Sequence, residues 1–165
     1  MLRRLTALIL VGLLVACGGD DGGDDEAQPD RDGPEVGDHW HAAFGIFACG
    51  EFLTPQNPND PLGIHTHADG LIHIHPFEEE AAGENATLGK FFDAAGVDVD
   101  SLAEDTDCDE PGNELRLLVD GEEVATPAAD LPLRDGQVIV LALAPPDAEI
   151  GEPPWAERID DPGDV

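Results

Sequence analysis

The chain has 165 residues, room for one modest domain with appendages, and its 37 acidic against 7 basic residues give a formal net charge of −30. A surface this negative repels nucleic acid and anionic headgroups, which excludes both as charge-bound partners, and it draws cations. Lys90 is the single lysine, a bias that fits a saline habitat or high-GC coding equally well.

Residues 1–16 read as an export signal. Met1-Leu2-Arg3-Arg4 is a short basic region, and Leu5 to Val15 is an apolar run too short to span a bilayer. The run ends in Leu14-Val15-Ala16-Cys17, which resembles the lipobox of bacterial lipoproteins. The resemblance implies cleavage before Cys17, acylation of that residue, and a protein held by lipid on the outer face of the bacterial cytoplasmic membrane. Each buried acyl methylene contributes about 0.8 kcal/mol, so several chains anchor firmly. Loss of Arg3 and Arg4 would take the charge from −30 to about −32. If the lipobox is not used, the segment is an ordinary secretory signal and the protein is secreted.

Residues 17–37 form an acidic tether: Gly18 to Asp38 holds nine acidic residues, much glycine and no apolar periodicity. The folded α+β domain is expected over 38–145. Residues 146–165 are again rich in Pro, Asp and Glu and read as a disordered tail, with Trp155 loosely packed in it.

With Cys17 assigned to lipid, Cys49 and Cys108 remain. Two cysteines in an exported domain pair as a disulfide, which could contribute roughly 4 kcal/mol in the chain-entropy treatment. Thiolate ligation of a metal is the alternative.

His39 to Cys49 alternates as a strand, with Trp40, Ala42, Phe44, Ile46 and Ala48 on one face and His39, His41, Ala43, Gly45 and Phe47 on the other. Glu51 to Pro61, with three prolines, reads as a loop. A hairpin follows around Ala68-Asp69-Gly70. A two-residue Asp69-Gly70 turn would send His65 and His67 to one face and His73 and His75 to the other. A three-residue loop with Gly70 left-handed pairs His65 with His73 and Ile64 with Ile74, so all four histidines share one face. The second register segregates apolar from polar residues and is the one expected.

Asn85 is the expected N-cap of a helix over 86–95, stopped by Gly96, with Leu88, Phe91, Phe92 and Ala95 as its apolar stripe. Residues 97–114 read as irregular. Glu114 to Val119 alternates as a strand and turns at Asp120-Gly121 into Glu123-Val124-Ala125. Gln137 to Ala144 is continuously apolar, the pattern of a central strand, and ends at Pro145-Pro146.

Hairpin, helix, strand, short strand and long strand from Gly63 onward resemble the β-grasp arrangement of ubiquitin-like domains, as does Leu131-Pro132-Leu133-Arg134-Asp135-Gly136 before the last strand. In that arrangement the strand carrying His39 and His41 is an addition. No di-glycine C-terminus is present, so conjugation chemistry does not carry over.

All six histidines, His39, His41, His65, His67, His73 and His75, fall in three His-x-His pairs. Alternate strand residues lie about 6.5–7 Å apart and opposed Cβ atoms about 4.5–5.5 Å, so such imidazoles can converge on one ion. Imidazole suits zinc and copper, and the Irving–Williams order favours Cu(II). Glu78, Glu79 and Glu80 are available as ligands or outer-sphere partners. Met1 is the only methionine, which excludes a Met-rich Cu(I) site.

Ile72-His73-Ile74-His75 resembles the His-x-His strand of copper–zinc superoxide dismutases, but no later histidine completes that metal pair. Cupins also open with His-x-His and a nearby Glu; their glycine placement and second motif are missing here. Metal binding in the cell envelope is therefore the leading expectation, with Cu(II) or Zn(II) as the ion. The alternatives are a non-catalytic envelope protein-interaction module, a pH-responsive surface, and a small metal-dependent enzyme with three histidines and an open water position.

Overall fold

Nine residues, with Trp40, Ala42, Phe44, Ile46 and Ala48 on one face and His41, Ala43, Gly45 and Phe47 on the other, become the spine of the fold, strand β1 (Trp40–Ala48). The computed structural model describes residues 33–55 and 60–160, so the export segment, Cys17 and the tether before residue 33 lie outside the described residues. The remaining strands are β2 (Glu51–Leu53), β3 (Ile64–Thr66), β4 (Leu71–Ile74), β5 (Glu114–Val119), β6 (Glu122–Val124) and β7 (Val138–Ala144); the helices are α1 (Leu88–Ala95) and the four-residue α2 (Leu102–Asp105). They form a small mixed α+β fold around one sheet in the order β3-β4-β1-β7-β5-β6, with β2 paired to β1.

The continuously apolar β7 is interior, parallel to β1 and antiparallel to β5. Strand β1 lies inside the sheet, between β4 and β7, and both of its faces are covered. Its Trp40, Ala42, Phe44, Ile46 and Ala48 join Ile64, Ile72, Ile74, Leu117, Ile139 and Leu141 in the main core, under Leu88, Phe91 and Phe92 of α1.

Three local expectations need correction. Glu51 to Leu53 is a strand rather than loop, because Cys49 and Gly50, at φ 51° and 83°, make a tight two-residue turn that folds it back onto β1. Helix α1 starts at Leu88, not Ala86, and its N-cap is Thr87, not Asn85; the Thr87 side chain accepts from Lys90 N at 3.4 Å. Backbone bonds from Leu88 N to Leu131 O and from Leu133 N to Ala86 O, both 2.8 Å, hold Thr87 extended against Pro132 and delay the helix. The stop at Gly96, in the left-handed conformation, is as expected. Within 97–114, α2 forms because Leu102 is drawn into the core beside buried Cys108. Cys108 is disulfide-bonded to Cys49, with Cα atoms 5.7 Å apart.

The segment after β7 also departs from its reading as a disordered tail. Up to residue 160 it packs across the sheet face opposite α1, where Trp155, Ala156 and Ile159 cover Ala43 and Leu71, and Ile150 meets Phe47, Phe52, Leu118 and Val140. Proline and acidic residues conceal this, because the few apolar side chains do the docking.

Phe44 is 1 % exposed with its ring edge-on to Phe91 and Phe92 at 5.2 and 5.8 Å. Phe44→Ala is expected to lower unfolding free energy by about 3–5 kcal/mol. Urea denaturation at pH 7 measures it, and a loss below about 1 kcal/mol would contradict this packing.

Candidate metal centre

Every histidine of the chain reaches one face of the sheet, at the β3–β4–β1 end. Strands β3 and β4 pair with Ile64 opposite Ile74, His65 opposite His73 and Thr66 opposite Ile72. This is the register of the three-residue loop, and Gly70 within it has φ 83°. Strand β4 then pairs antiparallel with β1, placing His41 opposite His73 and Ala43 opposite Leu71. Because side chains alternate, these two pairings send Ile64, Ile72, Ile74, Trp40 and Ala42 into the core and the imidazoles the other way.

The tightest convergence is His39, His41 and His73, whose ligand nitrogens lie within 4.8 Å of one another. His39 Nε2 and His41 Nε2 are 2.9 Å apart, so one ring carries the proton between two lone pairs. For Zn–N bonds of about 2.0–2.1 Å the edge of a tetrahedral site is about 3.3 Å, a value these separations bracket. The donor set fits a borderline ion such as zinc or copper.

The other three histidines surround this triad rather than form a separate four-membered centre. His75 lies on His39 with centroids 4.0 Å apart, and His65 is parallel to His73 at 5.6 Å. His67 is edge-on to His73 at 4.9 Å and to His65 at 5.0 Å. Glu78, Glu79 and Glu80 are exposed at a 3₁₀ turn and outside the triad.

The carboxylate that does reach a ring is Asp69, with Oδ2 at 2.8 Å from His73 Nε2. A carboxylate only accepts, so Nε2–H donates and the Nδ1 lone pair of His73 is left for a ligand, the outer-sphere arrangement common to metal-binding histidines. A hint lay in the sequence: Asp69 is the only carboxylate between the two His-x-His pairs of the hairpin. A second support comes from the Asp135-Gly136 turn. His41 N donates to Asp135 Oδ1 at 2.9 Å and Gly136 N donates to His41 O at 2.8 Å, which fixes the backbone of that histidine from both sides.

Burial favours the neutral form of His41, His65, His73 and His75. His41 and His73 are only 8 % and 5 % exposed. Burial first, then the neighbouring His73 and His39, lower the pKa of His41 from 6.5 to about 4. For His75 burial and then His39, His65 and His73 lower it to about 4 as well. Burial also lowers His65 and His73, in the second case against the raising effect of Asp69. Burial alone would raise Asp69, but the Leu71 N–H and His73 outweigh it and hold its carboxyl below the usual value. Neutral imidazoles present lone pairs, the form that ligates metal.

The chain matches no protein-family model, no curated protein and no solved structure.

Between pH 6.5 and about 4 the unfolded chain takes up protons at His41 and His75 that the folded chain refuses. Their contribution to the unfolding free energy of the metal-free protein therefore falls as the pH drops through that window and is lost below it. His41→Gln/His75→Gln removes this dependence, so the wild-type urea midpoint should decline relative to the variant from pH 7 to 4. Parallel midpoints across that range would contradict neutral buried rings.

Proposed function

We propose that this protein binds a transition metal, Cu(II) or Zn(II), at the histidine face of the sheet, and does so while anchored by lipid outside the cytoplasmic membrane. The observation that carries the first part is the convergence of His39, His41 and His73, the last two buried, with Asp69 orienting the ring of His73. Imidazole donors with a carboxylate behind one ring suit a borderline ion, whereas calcium and magnesium take oxygen ligands. His75, His65 and His67 stand next to the triad as further nitrogen donors.

The anchoring part is supported by Leu14-Val15-Ala16-Cys17, and the Cys49–Cys108 disulfide is in keeping with an oxidising compartment. No helix among the described residues is long and apolar enough to cross a membrane. We also read β4-β1-β7-β5-β6, with α1 following β4, as a β-grasp-like frame to which β3 is the added strand.

Metal analysis of the purified full-length chain tests the reading. Copper or zinc should bind stoichiometrically, with Cu(II) displacing Zn(II) at equal availability. His39→Ala/His41→Ala/His73→Ala should abolish tight binding, while Glu78→Gln/Glu79→Gln/Glu80→Gln leaves it intact. A triple-histidine variant that keeps its metal would overturn the assignment.

A further inference from the structure

Metal binding by the histidine face makes no use of residues 145–160, yet these residues grip the turn that carries Asp69. The Trp155 indole lies flat against Gly70, where a Cβ would overlap its ring. Its Nε1–H donates to Phe44 O at 2.9 Å, and Phe44 N donates in turn to Gly70 O at 3.2 Å, which closes a circuit around the turn. Arg158 Nη1 donates to Asp69 O at 3.2 Å. Ala156, 8 % exposed, packs in one cluster with Leu71 and Ala43, the residues two along the strands from His73 and His41.

Asp69 is thereby held at three atoms: its backbone oxygen by Arg158, Oδ1 by Leu71 N at 3.1 Å, and Oδ2 against His73 Nε2 at 2.8 Å. A three-residue hairpin loop without such cover is among the more mobile places in a fold. Mobility there would let the carboxylate leave His73, and the imidazole would exchange between its two tautomers.

We propose that residues 153–159 are a clamp, with Trp155 and Arg158 as positioning residues that fix Asp69 and, through it, the ligand nitrogen of His73. The inference rests on the metal-binding reading. By linkage the coupling is reciprocal: an ion bound at His73 tightens the clamp as much as the clamp tightens the ion.

The test uses the full-length chain and Zn(II) alone, with dissociation constants from competition against a chromophoric chelator. Trp155→Phe/Arg158→Met keeps a ring over Gly70 but removes both donors. It should weaken Zn(II) about ten- to a hundredfold, the range for loss of an outer-sphere partner, and Asp69→Asn should do the same. Placed on top of Asp69→Asn, the clamp substitutions should add less than about threefold, because both act through one group. In the metal-free protein, the ¹⁵N shifts of His73 should report the Nε2–H tautomer in wild type and a mixture in the clamp variant.

Unchanged affinity and an unchanged His73 tautomer in the folded variant would overturn the clamp. Fully additive losses would overturn it too, since they would mean the segment contributes only general stability. Wild type that binds neither Zn(II) nor, in the same competition assay, Cu(II) would overturn the metal-binding reading instead, and the tautomer measurement then decides the clamp by itself. If the double variant does not fold, Arg158→Met, at an exposed side chain, carries the same comparison.

Discussion

Antiparallel pairing of β1 with β4 turns three separate His-x-His pairs into one array, and it depends on alternation alone. His41 faces His73 because Ala42 faces Ile72 and Trp40 faces Ile74. A slip of one residue would push imidazoles under α1 and turn Trp40, Ala42 and Phe44 outward, a loss of apolar burial worth several kcal/mol. The core on one side of the sheet therefore enforces the convergence on the other. The same logic sets β3 against β4, where left-handed Gly70 supplies the odd residue the register needs.

Two kinds of negative charge act on this site at different ranges. The net charge of −30 is spread over a surface and concentrates cations nearby without selecting among them. In the proposed function, selection falls to the imidazole donors, in place of the oxygen ligands that hard cations prefer. Asp69 and Asp135 belong to neither role: one fixes the orientation of the His73 ring and the other the backbone of His41. A site carried on paired strands loses less entropy on binding than one assembled from loops.

The disulfide restrains the C-terminal end of β1 and the docked C-terminal segment its middle. Cys49, just after the last residue of β1, ties the β1–β2 turn to the region following α2, while Trp155 bonds to Phe44 and Arg158 reaches the turn between β3 and β4. The strand that carries His41, with His39 just before it, is thus restrained by groups far away in sequence.

Much of this was legible in the residues. Alternation in β1, the apolar run of β7, the left-handed Gly96 stop and the choice of hairpin register all follow from local steric rules and from the demand that one sheet face be apolar. That the histidines mattered was visible from their pairing in the sequence. Which of them converge was not. That depended on β1 inserting between β4 and β7, a long-range choice made by two-sided burial that no local period encodes. The same holds for Thr87 in place of Asn85, where pairing with residues 131–133 delayed the helix, and for Trp155, whose partner Phe44 lies far earlier in the chain. Local chemistry determined which faces the side chains take; only the packing of distant segments decided which faces meet, because those contacts are fixed by the total area buried and not by any neighbouring residue.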